Sequence, residues 1–212
     1  SFRKKLCYYL LRISLMNKIG FMQGRLCEQV NGHIQAFPWQ DWQKEFPIAA
    51  SIGLGLLEWT LDDKDLHKNP LMHEDGRKII NDLCVKYQIA IPSVTGDCFM
   101  QRPFWKEAGT SRRDLQDDFL KVTNASARAG IKFVVVPLVD NGRIETKEQE
   151  NIILDFFLEN HHLFVKQNIA IAFESDYEPS FLERFISQLP NQQFGINYDI
   201  GNSAASGFSA VE

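Results

Sequence analysis

Six short apolar runs recur along the chain, at residues 19–22, 56–59, 89–94, 133–138, 169–173 and 194–198, and a longer helix-like segment follows each of the first five. Strands that are apolar almost continuously, instead of alternating with polar residues, belong to parallel sheets covered on both faces. The chain therefore reads as a βα repeat, which leaves two architectures, the doubly wound open sheet and the closed barrel. A nucleotide-binding open sheet would carry a glycine-rich phosphate loop after its first strand, and here that place reads QGRLC (23–27). Polar residues instead close nearly every strand: Gln23 and Arg25, Glu58, Thr95 and Asp97, Asp140 and Asn141, Glu174 and Asp176, Asp199 and Asn202. Functional groups sent by many strands to one face are the barrel arrangement. Such a barrel needs eight strands and about 250 residues. The expected fold is thus α/β, a (β/α)8 TIM barrel, incomplete, with about six of eight βα units in the 212 residues.

Helix punctuation supports the repeat. SRRD (111–114) reads as a cap for Leu115, Phe119, Val122 and Ala129, ending at Gly130, and TKEQ (146–149) as a capping box for Ile153, Phe156, Phe157 and Phe164. Pro179 suits a first helical position, and Pro190 closes that helix. The first helix, 39–51, is interrupted by Pro47, which predicts a kink or a later start. SAVE (209–212) is a capping box with no helix behind it, so the spacing predicts a chain that continues past Glu212.

With 44% hydrophobic and 24% charged residues and a net charge of −4, the composition is globular and gives no electrostatic reason to bind a phosphate backbone. Cys7, Cys27, Cys84 and Cys98 form no CxxC pair, which argues against a zinc knuckle or redox motif and predicts a cytoplasmic setting. Residues 1–16 superficially resemble a leader, but Arg12 interrupts the apolar stretch and no small-x-small cleavage site follows. They are assigned to an N-terminal extension, with residues 17–212 as the partial barrel. No run of roughly 18 uninterrupted apolar residues exists to span a membrane.

IAIAFESD (169–176) and FGINYDIGN (194–202) each end an apolar run on a carboxylate. An acid at the end of a buried strand is costly unless it meets a metal, a partner or a substrate. Two in successive strands, Glu174 and Asp199, mark a candidate site. Each residue also has a plainer reading: Glu174 as a buried acid paired with Lys or Arg, Asp199 as a cap before Gly201, Glu58 as a rim carboxylate, Asp97 as a loop residue. Asn202 is read as orienting substrate or metal-bound water. His161 and His162 fall within a helix and His67 and His73 flank another, so none is assigned a ligand role. Trp39 and Trp42 suit sugar stacking or aromatic helix packing.

Taken together, IGFMQGR (19–25), LEWTLD (57–62), PSVTGD (92–97), VVVPLVDNG (134–142), FESD (173–176) and NYDIGN (197–202) resemble the sugar phosphate isomerase/epimerase family, with its xylose isomerase-like TIM barrel. The resemblance implies one divalent metal, Mn, Mg, Co or Zn, held by a Glu after strand five, an Asp after strand six, a His after strand seven and a Glu after strand eight. Glu174 and Asp199 match the first two. It further implies that Glu174 acts as an acid/base in enediolate chemistry; Glu58, Asp97 and Asn202, by their places after the strands, are the candidate substrate contacts. Where related ketose epimerases have a substrate-binding His after the strand-six Asp, this chain has Asn202. The implied partner is a small-molecule sugar or sugar phosphate, with homo-oligomerisation left open and no nucleic acid or membrane. Two other readings are an endonuclease IV-like DNA-repair barrel, which needs a His-rich multi-zinc site, and a non-catalytic barrel fragment.

Overall fold

In the computed structural model residues 19–30, 32 and 36–208 are described. The N-terminal extension and the capping box at 209–212 lie outside them. Six parallel strands, β1 (Gly20–Met22), β2 (Leu56–Thr60), β3 (Ala90–Thr95), β4 (Phe133–Pro137), β5 (Ala170–Glu174) and β6 (Phe194–Ile196), pair in strict sequence order. A doubly wound sheet reverses its strand order at a switch point. Sequential order with crossovers of one hand places every helix on the same face, so the opposite face must be the concave wall of a barrel. The sheet is open, and among the described residues β1 and β6 are its edges.

The helices are α1 (Glu45–Ser51), α2 (Glu74–Tyr87), α3 (Asp97–Gln101), α4 (Gly109–Ala129), α5 (Lys147–Gln167), α6 (Pro179–Ile186) and α7 (Ile200–Ala205). Pro47 sits third in α1, where no intrahelical N–H is required, so the proline delays the start to Glu45. The expected cap at Ser111 is corrected. The α4 helix begins two residues earlier, and Ser111 lies in its first turn with its hydroxyl donating to Glu107 at 2.9 Å. The Thr146 cap forms, accepting from the Gln149 N–H at 3.2 Å, and Gly130 ends α4 in the left-handed conformation at φ 81°.

Side chains alternate across each strand. Leu57, Trp59, Val94, Val134, Val136, Ile171, Phe173 and Phe194 point toward the helices and are buried. Phe157 of α5 lies at the centre of this layer, 5.3 Å from the Phe119 ring, 5.3 Å from Phe173 and 5.5 Å from Phe194. Trp42 packs against Trp59 at 5.5 Å, so it belongs to the core. The opposite alternates, Glu58, Thr60, Ser93, Thr95, Ala170, Ala172, Glu174 and Gly195, line the concave face. Most of these are small or polar, where a filled barrel would carry Val, Ile and Leu, and Phe133 and Val135 of β4 add apolar surface to the same face. The lumen thus combines space and hydrogen-bonding groups with an apolar wall.

Candidate active site

Glu174 ends β5, one residue past Phe173, so alternation turns its carboxylate into the lumen while Phe173 anchors the strand. Its Oε2 accepts from Asn197 Nδ2 at 2.9 Å and its Oε1 from Asn202 Nδ2 at 3.3 Å. The Lys or Arg partner of the plainer reading does not occur among the described residues. Burial pushes the Glu174 carboxyl up from the ordinary range. The Asn197 bond opposes that shift, and the charges of Asp199, Glu58 and Asp97 add to it. Three other acids expected at the site therefore act on Glu174.

Asp199 is the N-cap of α7, its Oδ1 accepting from the Asn202 N–H at 2.9 Å. Asn202 thus joins both carboxylates, Asp199 through its backbone and Glu174 through its side chain. Glu58 is not at a strand end. It is the third of five residues in β2, lower in the lumen, and accepts from Ser93 Oγ at 2.6 Å. Burial raises its carboxyl too, against the opposing Ser93 bond. Asp97 is the first residue of α3, 3% exposed, and accepts from Thr95 Oγ1 at 3.0 Å. The preceding Gly96 is required, because a Cβ there would lie 2.7 Å from the Val135 carbonyl and 2.4 Å from the Phe99 ring.

Two cavities meet at Asn197. One of about 450 Å³ is lined by Glu58, Ser93, Val135, Ala172, Gly195 and Asn197, and one of about 560 Å³ by Ser175, Tyr177, Asn197, Tyr198, Asp199 and Ser203, among others. Both fall within the usual size of a small-ligand pocket, about 300–1,000 Å³.

Sequence reasoning passed over Glu45, which is wholly buried and accepts from the Gly24 N–H at 2.9 and 3.1 Å and from the Leu26 N–H at 3.0 Å. It clamps the loop after β1. Gly24 adopts φ +89° there, with no room for a Cβ beside the Ala36 carbonyl. The available signal was an acid in the first turn of a helix whose start Pro47 dictates. Gln23, also wholly buried, accepts from the Thr60 N–H at 3.2 Å, and its Nε2 has no partner among the described residues. Asp176 is committed elsewhere, to Arg143, whose guanidinium lies 4.7 Å over the Tyr177 ring. His161 bonds Gln193 and His67 pairs with Asp118, both away from the strand ends.

No group of three or more His, Cys, Asp or Glu among the described residues is arranged to hold a metal ion. Glu174 and Asp199 are hard oxygen donors of the kind Mg²⁺ and Mn²⁺ prefer, and Asn202 contacts both. The chemistry of this pair fits part of such a ligand set. The His and second Glu implied by the resemblance have no counterpart among the described residues.

No family model and no curated protein sequence matches the chain. Solved structures do. A sugar phosphate isomerase/epimerase from Parabacteroides distasonis aligns with a TM-score of 0.59 at 15% identity over 82% of this chain and 64% of its own. D-psicose 3-epimerase from Clostridium cellulolyticum, solved with D-tagatose, gives 0.63 at 11% identity over 81% and 61%. A xylose isomerase-like TIM barrel protein from Mycobacterium smegmatis, in complex with magnesium, gives 0.58 at 13% identity over 81% and 60%. The chain has the fold of the xylose isomerase-like TIM barrels, and it spans about three fifths of the length of these neighbours.

Proposed function

We propose that the chain is the greater part of a metal-dependent sugar or sugar-phosphate isomerase or epimerase, with Glu174 moving the carbon-bound proton. The observation that carries this reading is the environment of Glu174: a half-buried carboxylate at a strand end, held by two neutral amides and pressed by three other acids. A carboxylate whose pKa is pushed up, with its orientation fixed and no guanidinium or ammonium on it among the described residues, is suited to accept a proton from an α-carbon. Neighbours of the same fold include a sugar phosphate isomerase/epimerase and a D-psicose 3-epimerase, which supports the sugar class.

The magnesium complex among the neighbours supports a divalent cation. Glu174 and Asp199 would hold it, with Asn202 orienting both, and when bound it would polarise a substrate carbonyl. Asn197 keeps the Glu174 carboxylate facing the lumen, and Glu58, which lines the cavity, offers an acceptor to a sugar hydroxyl.

Mn²⁺ titration tests the pair. Binding is expected to be weak and to fall further in both Glu174→Gln and Asp199→Asn, because two carboxylates are an incomplete ligand set. Uptake of solvent deuterium at the α-carbon of a ketose or ketose phosphate tests the chemistry, and Glu174→Gln should abolish it. Unchanged Mn²⁺ affinity in both variants overturns the metal assignment. No deuterium uptake with metal bound favours the non-catalytic barrel.

A further inference from the structure

We propose that Glu58 is a second acid/base group of this site, which passes its proton to a substrate oxygen across the lumen from Glu174 and has Ser93 as its positioning partner. The inference rests on the isomerase reading above and goes beyond it by assigning the oxygen-bound proton.

Glu58 lines the 450 Å³ cavity with Ser93, and Asn197, which holds Glu174, lines the same cavity. The two carboxyls are close enough for the Glu58 charge to act on Glu174. Facing Glu58 are Met22 on β1, Ser93 on β3, Glu174 on β5 and Asn197 on β6, none of them cationic. Partial burial among such neighbours raises the Glu58 carboxyl from its ordinary range, with the Ser93 bond opposing the shift. The wall beside it is made of Ala170, Ala172 and Gly195, and a Cβ at Gly195 would meet nothing within 4 Å, so a sugar-sized molecule has room to reach it.

The proton balance closes. Glu174 takes the proton from the carbon beside the carbonyl as the C–H electron pair forms the enediol double bond. The carbonyl oxygen takes the Glu58 proton. Glu174 then returns its proton to the former carbonyl carbon, while Glu58 recovers one from the neighbouring hydroxyl, leaving both groups as they began and the carbonyl moved by one carbon. Ser93 Oγ, at 2.6 Å, fixes the Glu58 rotamer.

Two measurements decide this. In protein labelled with ¹³C at the glutamate carboxyls, the resonance that Glu58→Gln removes should titrate above the ordinary glutamate range, and Ser93→Ala should move it higher. In turnover of ketoses and ketose phosphates, D-tagatose among them, Glu58→Gln should lower kcat about 10²- to 10⁴-fold with KM little changed. Glu58→Asp should restore part of it. Activity that needs protonated Glu58 falls as pH rises through its pKa, so Ser93→Ala should shift the alkaline limb upward, and this arm stands even where Glu58→Gln does not fold. A Glu58 resonance in or below the ordinary range, or undiminished turnover by folded Glu58→Gln, overturns the inference and leaves the Glu174 reading intact. Absence of deuterium uptake by the wild-type protein overturns both.

Discussion

Glu150 offers a sharp test of how α5 and α6 are held together. Its side chain is only 4% exposed and receives Arg184 bidentately at 2.6 and 3.0 Å, Lys147 at 2.8 Å and Gln188 at 3.3 Å. The Arg184 hydrogen bonds, chiefly, hold its carboxyl at about 2, from an ordinary 4.5. Taken whole, that difference is worth about 3 kcal/mol. Arg184, however, is 47% exposed, so solvent screening reduces the contribution to about 1–2 kcal/mol. The folded pKa lies below the unfolded one, so the contribution is present in full above pH 4.5 and is lost as pH falls toward 2. Glu150→Gln should therefore unfold about 1–2 kcal/mol more easily in urea at pH 7, with a gap that narrows steadily below pH 4.5. The same gap at pH 7 and pH 3, or none at pH 7, would refute the account of Glu150 as an ionised clasp.

The clamp on the first loop and the tight turn before Asp97 make separate predictions. Glu45→Ala strands the Gly24 and Leu26 N–H groups and should cost about 2 kcal/mol or more, with faster hydrogen exchange confined at first to 23–27. Gly96→Ala drives a Cβ against the Val135 carbonyl and should lower stability by about 1–3 kcal/mol in thermal melts followed by circular dichroism. A neutral outcome would mean that the turn yields without cost.

The strands were legible because the helix-facing residues of each are apolar and the lumen-facing ones between them are few in so short a run, and each expected run contains its observed strand or overlaps it to within a residue. Helix starts were less so. Pro47 announced a late start, whereas the Ser111 signal failed because Glu107 takes the hydroxyl of Ser111 from outside the helix. The role of Glu45 depends on Gly24, 21 residues earlier, a contact that no local pattern records. Asn197 has no chemical signal of its own within NYDIGN, although the period of two places it on the lumen face with Gly195 and hence beside Glu174. Glu58 reads as a strand end because the expected run stops one residue later, at Trp59, yet the strand continues through Thr60, whose N–H bonds Gln23.

That shift in the height of Glu58 changes what the acids can do together. Like charges gathered in a partly buried site raise one another's cost, and Asp199, Glu58 and Asp97 all push the Glu174 carboxyl up, so a fold that gathers these four acids gains from relieving the repulsion. Amide dipoles from Asn197 and Asn202 orient Glu174 but supply no net charge. Two kinds of relief remain, and the geometry separates them. Asp199 and Glu174 share Asn202 at the strand ends, where a cation can be approached by two carboxylates. Glu58 faces a single hydroxyl deeper in the lumen, where one proton is enough. On the proposed reading, a cation at one end and a proton at the other would have the polarity that moving a carbonyl along a sugar requires: charge stabilisation at the oxygen, an acid to protonate it and a base for the carbon.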